Sequence, residues 1–513
     1  MGQAQTGDSG WLERHAGLLV ALLAALASIP FLNTVWLLAD EGIWLHAAKR
    51  MLDGQALYRD FFEFHPPVGF LMITAWLKLF GTSLVSARSL MLLVTSVTAW
   101  CTFTCCRIAS GRTWLSAVFT LMWVVAGQGM WTQVNHHWFT TMFSMIALFG
   151  ALSPERRGAT AIAGVAASLA ALVTTHRGGL VVISAFVGML LDRQVHRLAV
   201  YVGAGLTCAA LVLGYLVAES TVVAAFEQVV LYAMNHYSGI QAVPFGSFAS
   251  LQFLPVLAIY PLIAILLLNC LWQDWRSLLR QRQLGTLGMF AIAGLAGSFP
   301  RPDAVHIAFA AALALPLLAA LLALAIPPKR PLTILMAVLA CGMTFLPWCG
   351  AVKATYDAAP VTSAAGVIKV LQRDGTAELV AYLSGTPEEK RVFFYPYDPL
   401  LPFLTDTNHP AKIDILVPEY STPQQYRETC EQIMRSADLV VIDHEITTAS
   451  FYRAVFPAMR NPAGTPEKLA FEDAIQRSFD VKQKVGSFLI LRRRDATVKN
   501  CQLIASSEGP SHD

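Results

Sequence analysis

The carboxylates Asp40 and Glu41 stand side by side directly after the first long apolar run, and the ionisable residues of later apolar runs gather at matching positions. Arg88 opens the second run, His136 and His137 open the fourth, His176 and Arg177 separate the fifth from the sixth, and Arg301, Asp303 and His306 separate the ninth from the tenth. A charge at the centre of a membrane helix costs on the order of 3 kcal/mol, so such residues are rare and usually functional. Here the acids and bases collect at one end of the runs. That is the pattern of a reaction centre at a membrane interface rather than of a conduction path, whose partners would lie near the midplane. An arginine that is the lone basic charge of a short outer loop is a natural partner for phosphate, because its planar fork matches phosphate oxygens; Arg177 and Arg301 fit that description.

Each group also has a plainer reading. Asp40 could cap a helix beginning near Gly42, and Arg88 could pair with a carboxylate of the first loop. His136 and His137 point about 100° apart on a helix, which suits interfacial packing better than a shared metal. In the same first loop, YRDFFEFHPP supplies Asp60, Glu63 and His65 among Tyr58, Phe61, Phe62 and Phe64. Those aromatics read as an interfacial belt before they read as a sugar platform.

The elements that must position these groups follow from composition. A chain of 513 residues that is 55% hydrophobic and 14% charged, with mean hydropathy +0.52, belongs to the polytopic membrane class. Candidate spans lie near residues 16–38, 84–106, 113–128, 131–151, 159–175, 178–191, 198–218, 251–271, 284–299, 306–326 and 331–350, eleven in all. The first is too long for a signal-peptide core and reads as a transmembrane helix.

Val68 to Gly81 decides the topology, because a span there would invert every later loop. If it does not cross, the cytoplasmic segments hold Arg14, Arg107, Arg112, Arg156, Arg157, Arg193, Arg197, Arg276, Arg280, Arg282, Lys329 and Arg330, whereas the short outer loops after residue 84 hold Arg177 and Arg301 alone. The positive-inside rule therefore predicts a helix lying on the outer face, the N-terminus inside, the first loop (39–83) outside and the C-terminus outside.

From about Ala351 the sequence becomes mixed and charged, and residues 351–513 read as a soluble extracytoplasmic α/β domain following the membrane domain 1–350. Helices are expected near 363–384, 423–436, 447–459 and 466–476, with strands at Val392 to Tyr395, Ile413 to Val417, Asp438 to Ile442, Phe479 to Lys484 and Phe488 to Arg492. No nucleotide fingerprint occurs, and the basic residues form no face for nucleic acid. The nine cysteines show no metal-ligand spacing; Cys430 and Cys501, the two in polar sequence, could pair if the region is extracytoplasmic.

The order of features in the first loop resembles the GT-C glycosyltransferases: DE after the first span, an amphipathic helix ending at Asp53-Gly54, YRDFFEFHPP, an apolar helix ending KLFG, then Ala87-Arg88. More narrowly it resembles the protein O-mannosyltransferase and aminoarabinose-transferase branch. RPDAVH at Arg301 to His306 and THRGG at Thr175 to Gly179 are similar to outer-loop motifs of bacterial members. The resemblance covers about residues 16–350 and implies a GT-C-like bundle of about eleven transmembrane helices. It implies inverting sugar transfer from a polyprenyl-phosphate donor, whose lipid tail lies between spans, to a glycan, lipid or protein acceptor. Carried to this sequence, it makes Asp40 the general base, with Glu41 supporting it or touching substrate. Arg177, Arg301, His176, Arg88 and His306 become cations for the donor phosphate, and Asp60, Glu63, His65, His136 and Asp303 substrate-binding groups. Some relatives bind a divalent metal through outer-loop acids, for which Asp60, Glu63 and His65 would supply ligands. A transporter or flippase of a lipid-linked sugar is the alternative class; the sequence has no visible inverted repeat and an empty midplane.

Overall fold

An apolar run with no water around it must satisfy its backbone internally, so these runs fold as helices. The computed structural model describes residues 7–127, 129, 131–156, 158–280, 283–325, 331–371, 374–386, 390–494 and 501. Of the basic residues that set the expected topology, Arg157, Arg282, Lys329 and Arg330 lie outside the described residues. The N-terminal part comprises α1 (Gly7–Ser28), α2 (Asp40–Leu52), α3 (Val68–Phe80), α4 (Leu84–Ser110), α5 (Thr113–Ala126), α6 (His136–Ala151), α7 (Ala159–Val173), α8 (Thr175–Leu191) and α9 (Leu198–Ala218). Helices Ile259–Arg280, Leu284–Ala296, Ala304–Ala310, Leu315–Ala325 and Pro331–Asp357 follow.

Each expected span overlaps a helix, although the first, 16–38, leaves its helix at Ser28 and runs into the strand Thr34–Val35, and eleven full spans are not found among the described residues. Among the described residues, five stretches are long and apolar enough to cross: Glu13–Phe31, Leu84–Ser110, Val195–Ala218, Leu251–Gln273 and Ala337–Asp357. A sixth exists if Ala304–Leu313 and Leu315–Ala325, bent by 67° at their junction, count as one. The others are short: α7 has 15 residues, a length of about 22 Å against a hydrocarbon core of about 30 Å. Small residues let α7 pack closely, since a Cβ at Gly164 would overlap the Tyr201 carbonyl of α9.

Helix α3 is a separate 13-residue element, with Phe70, Ile73 and Leu77 buried and Leu79 and Phe80 exposed. The Ser83 hydroxyl accepts from Ser86 N–H at 3.1 Å and starts α4 afresh, the break that a surface-lying α3 requires.

Helix Pro331–Asp357 runs through the expected boundary near Gly350. Beyond it come β2 (Pro360–Ser363), β3 (Gly366–Val370), β4 (Val392–Tyr395), β5 (Leu439–Asp443), β6 (Phe479–Val485) and β7 (Phe488–Arg493). The larger sheet has the order β4-β5-β7-β6, with β4 and β5 parallel and the other pairs antiparallel. The smaller sheet has the order β1-β3-β2, and its first strand β1 (Thr34–Val35) comes from the connection after α1 and pairs parallel to β3. Buried side chains run continuously from Trp44 and Phe70 of the first loop to Phe394 and Leu400 of the C-terminal part.

Two expected elements are corrected. The helix over 363–384 is instead a β2–β3 hairpin turning at Gly366, where φ is +101°, followed by a helix at Thr376–Ser384. Ile413 to Val417 is not a strand, because its backbone groups bond elsewhere than to a ladder: Leu416 N–H donates to the Pro396 carbonyl, Val417 N–H to the Ser421 hydroxyl, and the Ile415 carbonyl accepts from that hydroxyl. Cys430 and Cys501 form a disulfide.

Candidate active site

Helix α2, the N-terminal turns of α6 and α8, the loop before Ala304 and the C-terminal part enclose a cavity of two adjoining lobes, of about 570 Å³ and about 340 Å³. They share a wall that includes His65, His136, His137, Tyr237, Arg301 and His306. Arg177, His176 and Thr175 line the larger lobe together with the apolar Val229, Val230 and Met234. Asp40, Trp44, Asn135 and Asp303 line the smaller one, with Tyr397, Tyr420 and Phe456 supplied by the C-terminal part.

Asp40 and Glu41 have opposite environments because successive helical residues point about 100° apart. Helix α2 starts at Asp40 with Ala39 as its N-cap, so Asp40 occupies the first turn rather than capping a helix at Gly42. Its carboxylate is exposed to the smaller lobe, and Oδ1 accepts from the Tyr397 hydroxyl at 2.7 Å. Glu41 is 1% exposed and turned inward, where Arg88 donates from Nε to Oε1 at 2.9 Å and from Nη2 to Oε2 at 2.5 Å. The Val134 N–H adds a third bond to Glu41 at 2.9 Å. Arg88 spends Nη1 on the carbonyls of Phe31 and Thr34. This is the plainer of the two readings of Arg88.

Arg177 lies in the first turn of α8, not in a loop, and its Nη1 is 2.6 Å from His137 Nδ1. Helix α8 therefore points its amino end, with its free N–H groups and positive dipole end, at the same lobe. Asp303 organises the other cations. It caps the Ala304–Ala310 helix by accepting from His306 N–H, holds the His306 ring at 2.9 Å through Oδ1, and binds Arg301 Nε at 2.9 Å through Oδ2. Burial alone would raise the Asp303 pKa, but bonding to His306 and the Arg301 charge hold it below the usual carboxylate range. The histidine rings continue across the shared wall, with centroid separations of 4.5 Å for His65–His136, 3.9 Å for His136–His137 and 5.0 Å for His137–His306.

No protein-family model matches the sequence, and no curated protein matches it. Among solved structures, ArnT from Cupriavidus metallidurans bound to undecaprenyl phosphate matches with a TM-score of 0.60 at 15% identity, over 98% of this chain and 99% of that one. ArnT in the apo state matches with a TM-score of 0.59 at 16% identity, over 95% and 98%. The chain has the GT-C fold. Arabinofuranosyltransferase AftD from Mycobacteria also matches, with a TM-score of 0.50 at 12% identity, over 94% of this chain and 40% of AftD.

Within this GT-C fold, Asp40, Arg177, His176, Arg301, His306, His65, His136 and Asp303 meet at one cavity. Glu41 and Arg88 line neither lobe. Asp60 stands apart too, its oxygens taken by Arg59 and the Ala56 N–H. Glu63 is buried, and burial pushes its carboxyl well above the usual range. Its nearest histidine nitrogen, His65 Nδ1, is 3.8 Å away. Asp60, Glu63 and His65 thus do not form a ligand set, and among the described residues no group of three or more His, Cys, Asp or Glu could hold a metal ion. Tyr397 and Gln241, which binds Arg301 Nη1 through Oε1 at 3.2 Å, carry no sequence signal that would have singled them out.

Proposed function

We propose that the chain is an inverting membrane glycosyltransferase that moves a sugar from a polyprenyl-phosphate donor to an acceptor on the outer face of the cytoplasmic membrane. The observation that carries this reading is the pairing of Asp40 in one lobe with Arg177 in the other, across a shared wall. ArnT, the matched protein bound to undecaprenyl phosphate, supports the donor class.

In this reading the donor phosphate lies in the larger lobe against Arg177, His176, Arg301 and the amino end of α8, with its lipid chain along the apolar residues there. The sugar crosses the shared wall past His65 and His136. The acceptor hydroxyl enters the smaller lobe and gives its proton to Asp40 as its oxygen forms the new bond to the anomeric carbon. The carbon–oxygen bond to phosphate breaks, and the phosphate leaves with the electron pair. Proton removal by a placed base contributes about 10²- to 10⁴-fold, and cations fixed where charge develops contribute comparably. The Arg-rich segments, read as cytoplasmic, support an N-terminus inside. The Cys430–Cys501 disulfide supports an extracytoplasmic C-terminal part, since such bonds persist in oxidising compartments.

The test is a transfer assay with purified protein and a panel of polyprenyl-phosphate sugars, read by product mass against glycan, lipid and peptide acceptors. One donor is expected to yield a product heavier by one sugar residue. Failure of every donor would overturn the reading.

A further inference from the structure

We infer that the C-terminal part is a working component of the active site, in which Tyr397 is the positioning residue that aims the Asp40 carboxylate at the acceptor. The inference rests on the proposed transfer reaction and adds a part of the chain that the first-loop pattern leaves out.

The Tyr397 hydroxyl is 2.7 Å from Asp40 Oδ1. Burial, followed by the Asp40 charge, pushes this hydroxyl well above the ordinary tyrosine range, so it stays protonated and donates. The residues that follow Tyr397 are locked to the start of α2. Leu400 N–H donates to the Leu38 carbonyl at 3.0 Å, and a Cβ at Gly42 would overlap the Pro399–Leu400 backbone. On the other side, Leu416 N–H holds the Pro396 carbonyl at 3.0 Å. Glycine at 42 thus permits a backbone approach that seats Tyr397 against the first turn of α2. An exposed carboxylate has several rotamers; one hydrogen bond to a fixed donor selects one and leaves Oδ2 for the acceptor proton.

Other charged and titratable groups facing this lobe are Arg301, His306, Asp303, His65, His136, His137, Tyr237 and Tyr420. None of them has a hydrogen bond to Asp40 among those described, whereas Tyr397 does. Removing the Tyr397 hydroxyl should therefore free the Asp40 carboxylate to other rotamers while leaving the other groups in place.

The experiment compares full-length protein with Tyr397→Phe and, in parallel, Asp40→Asn. For Tyr397→Phe, kcat per folded protein is expected to fall by about 10-fold with the donor KM unchanged, because the base is no longer held in one rotamer. Tm measured on the same samples separates this from a loss of folded protein. An unchanged kcat, or a loss confined to donor KM, overturns the role of Tyr397. Retention of transfer by Asp40→Asn would instead overturn Asp40 as base, so the two failures are distinguishable.

Discussion

Arg88 grips Glu41 with a forked pair of hydrogen bonds, at 2.9 and 2.5 Å, deep inside the molecule. Of two adjacent carboxylates, this leaves Asp40 as the one that lines the cavity. The Glu41–Arg88 pair ties α2 to α4 and, through the Phe31 and Thr34 carbonyls, to the end of the α1 connection. It therefore fixes the start of α2, where Asp40 sits, from outside both lobes.

Replacing Arg88 with Met should leave Glu41 buried and uncompensated, a loss of about 3–5 kcal/mol. The expected readout is a sharp fall in folded protein and in Tm. Adding Glu41→Met should recover part of it, since an apolar pair of similar volume is tolerated where half an ion pair is not. A single Arg88→Met variant with wild-type Tm would contradict the structural role.

Arg177→Gln should weaken the donor rather than the acceptor. A hydrogen bond to a charged group is worth about 1.5–3 kcal/mol, which corresponds to a rise in donor KM of roughly 10- to 100-fold. Arg301→Gln should act in the same direction, because Asp303 and Gln241 aim its guanidinium at the shared wall. Unchanged donor KM in both variants would remove the phosphate assignment.

Stability should fall as pH drops through the mildly acidic range. Burial pushes the His409 imidazole down to about 4, with Asp414 partly offsetting it, and burial pushes His65 down to about 3. Unfolded histidine titrates near 6.5. Between these values the unfolded chain binds protons that the native chain does not, so stability falls from pH about 6.5 towards 4. Asp414 acts the same way lower down. Burial raises its pKa, but His46, His409 and Arg50 hold it below its ordinary value of 3.8, so its contribution is complete above that value and lost beneath it. The check is Tm of detergent-solubilised protein across pH 4 to 7, with His409→Gln flattening part of the slope. A Tm that rises on acidification would contradict this.

How much of this was legible in the sequence depends on how local each signal is. Hydropathy located the helices of the long apolar runs, because the requirement for internal backbone bonding acts on each run by itself. It did not locate the helical stretch 222–240, which supplies Val229, Val230, Met234 and Tyr237 to the cavity. The Pro423–Ser436 helix was equally plain, its Thr422 cap and Gln425 forming a capping box with Pro423 at the first position. The hairpin at Gly366 was misread as helix because alanines and a lysine mask a turn that one glycine makes. Strand β1 was invisible: two residues at Thr34–Val35 become a strand by pairing with Lys369 and Val370. The site divides likewise. Asp40, Arg177, Arg301 and His306 stand out as charges among apolar neighbours, and their meeting follows from shared depth. Tyr397 is an ordinary tyrosine 357 residues from its partner, and only folding gives it a role.

The most direct measurement of the central claim is sugar transfer by Asp40→Asn, using the donor that the wild-type protein accepts from the polyprenyl-phosphate panel. Asparagine keeps the shape of the side chain and its contact with Tyr397 but cannot take the acceptor proton. Transfer is expected to fall at least 100-fold, with donor KM and Tm near those of the wild type. Retention of more than about a tenth of wild-type transfer would contradict Asp40 as the base.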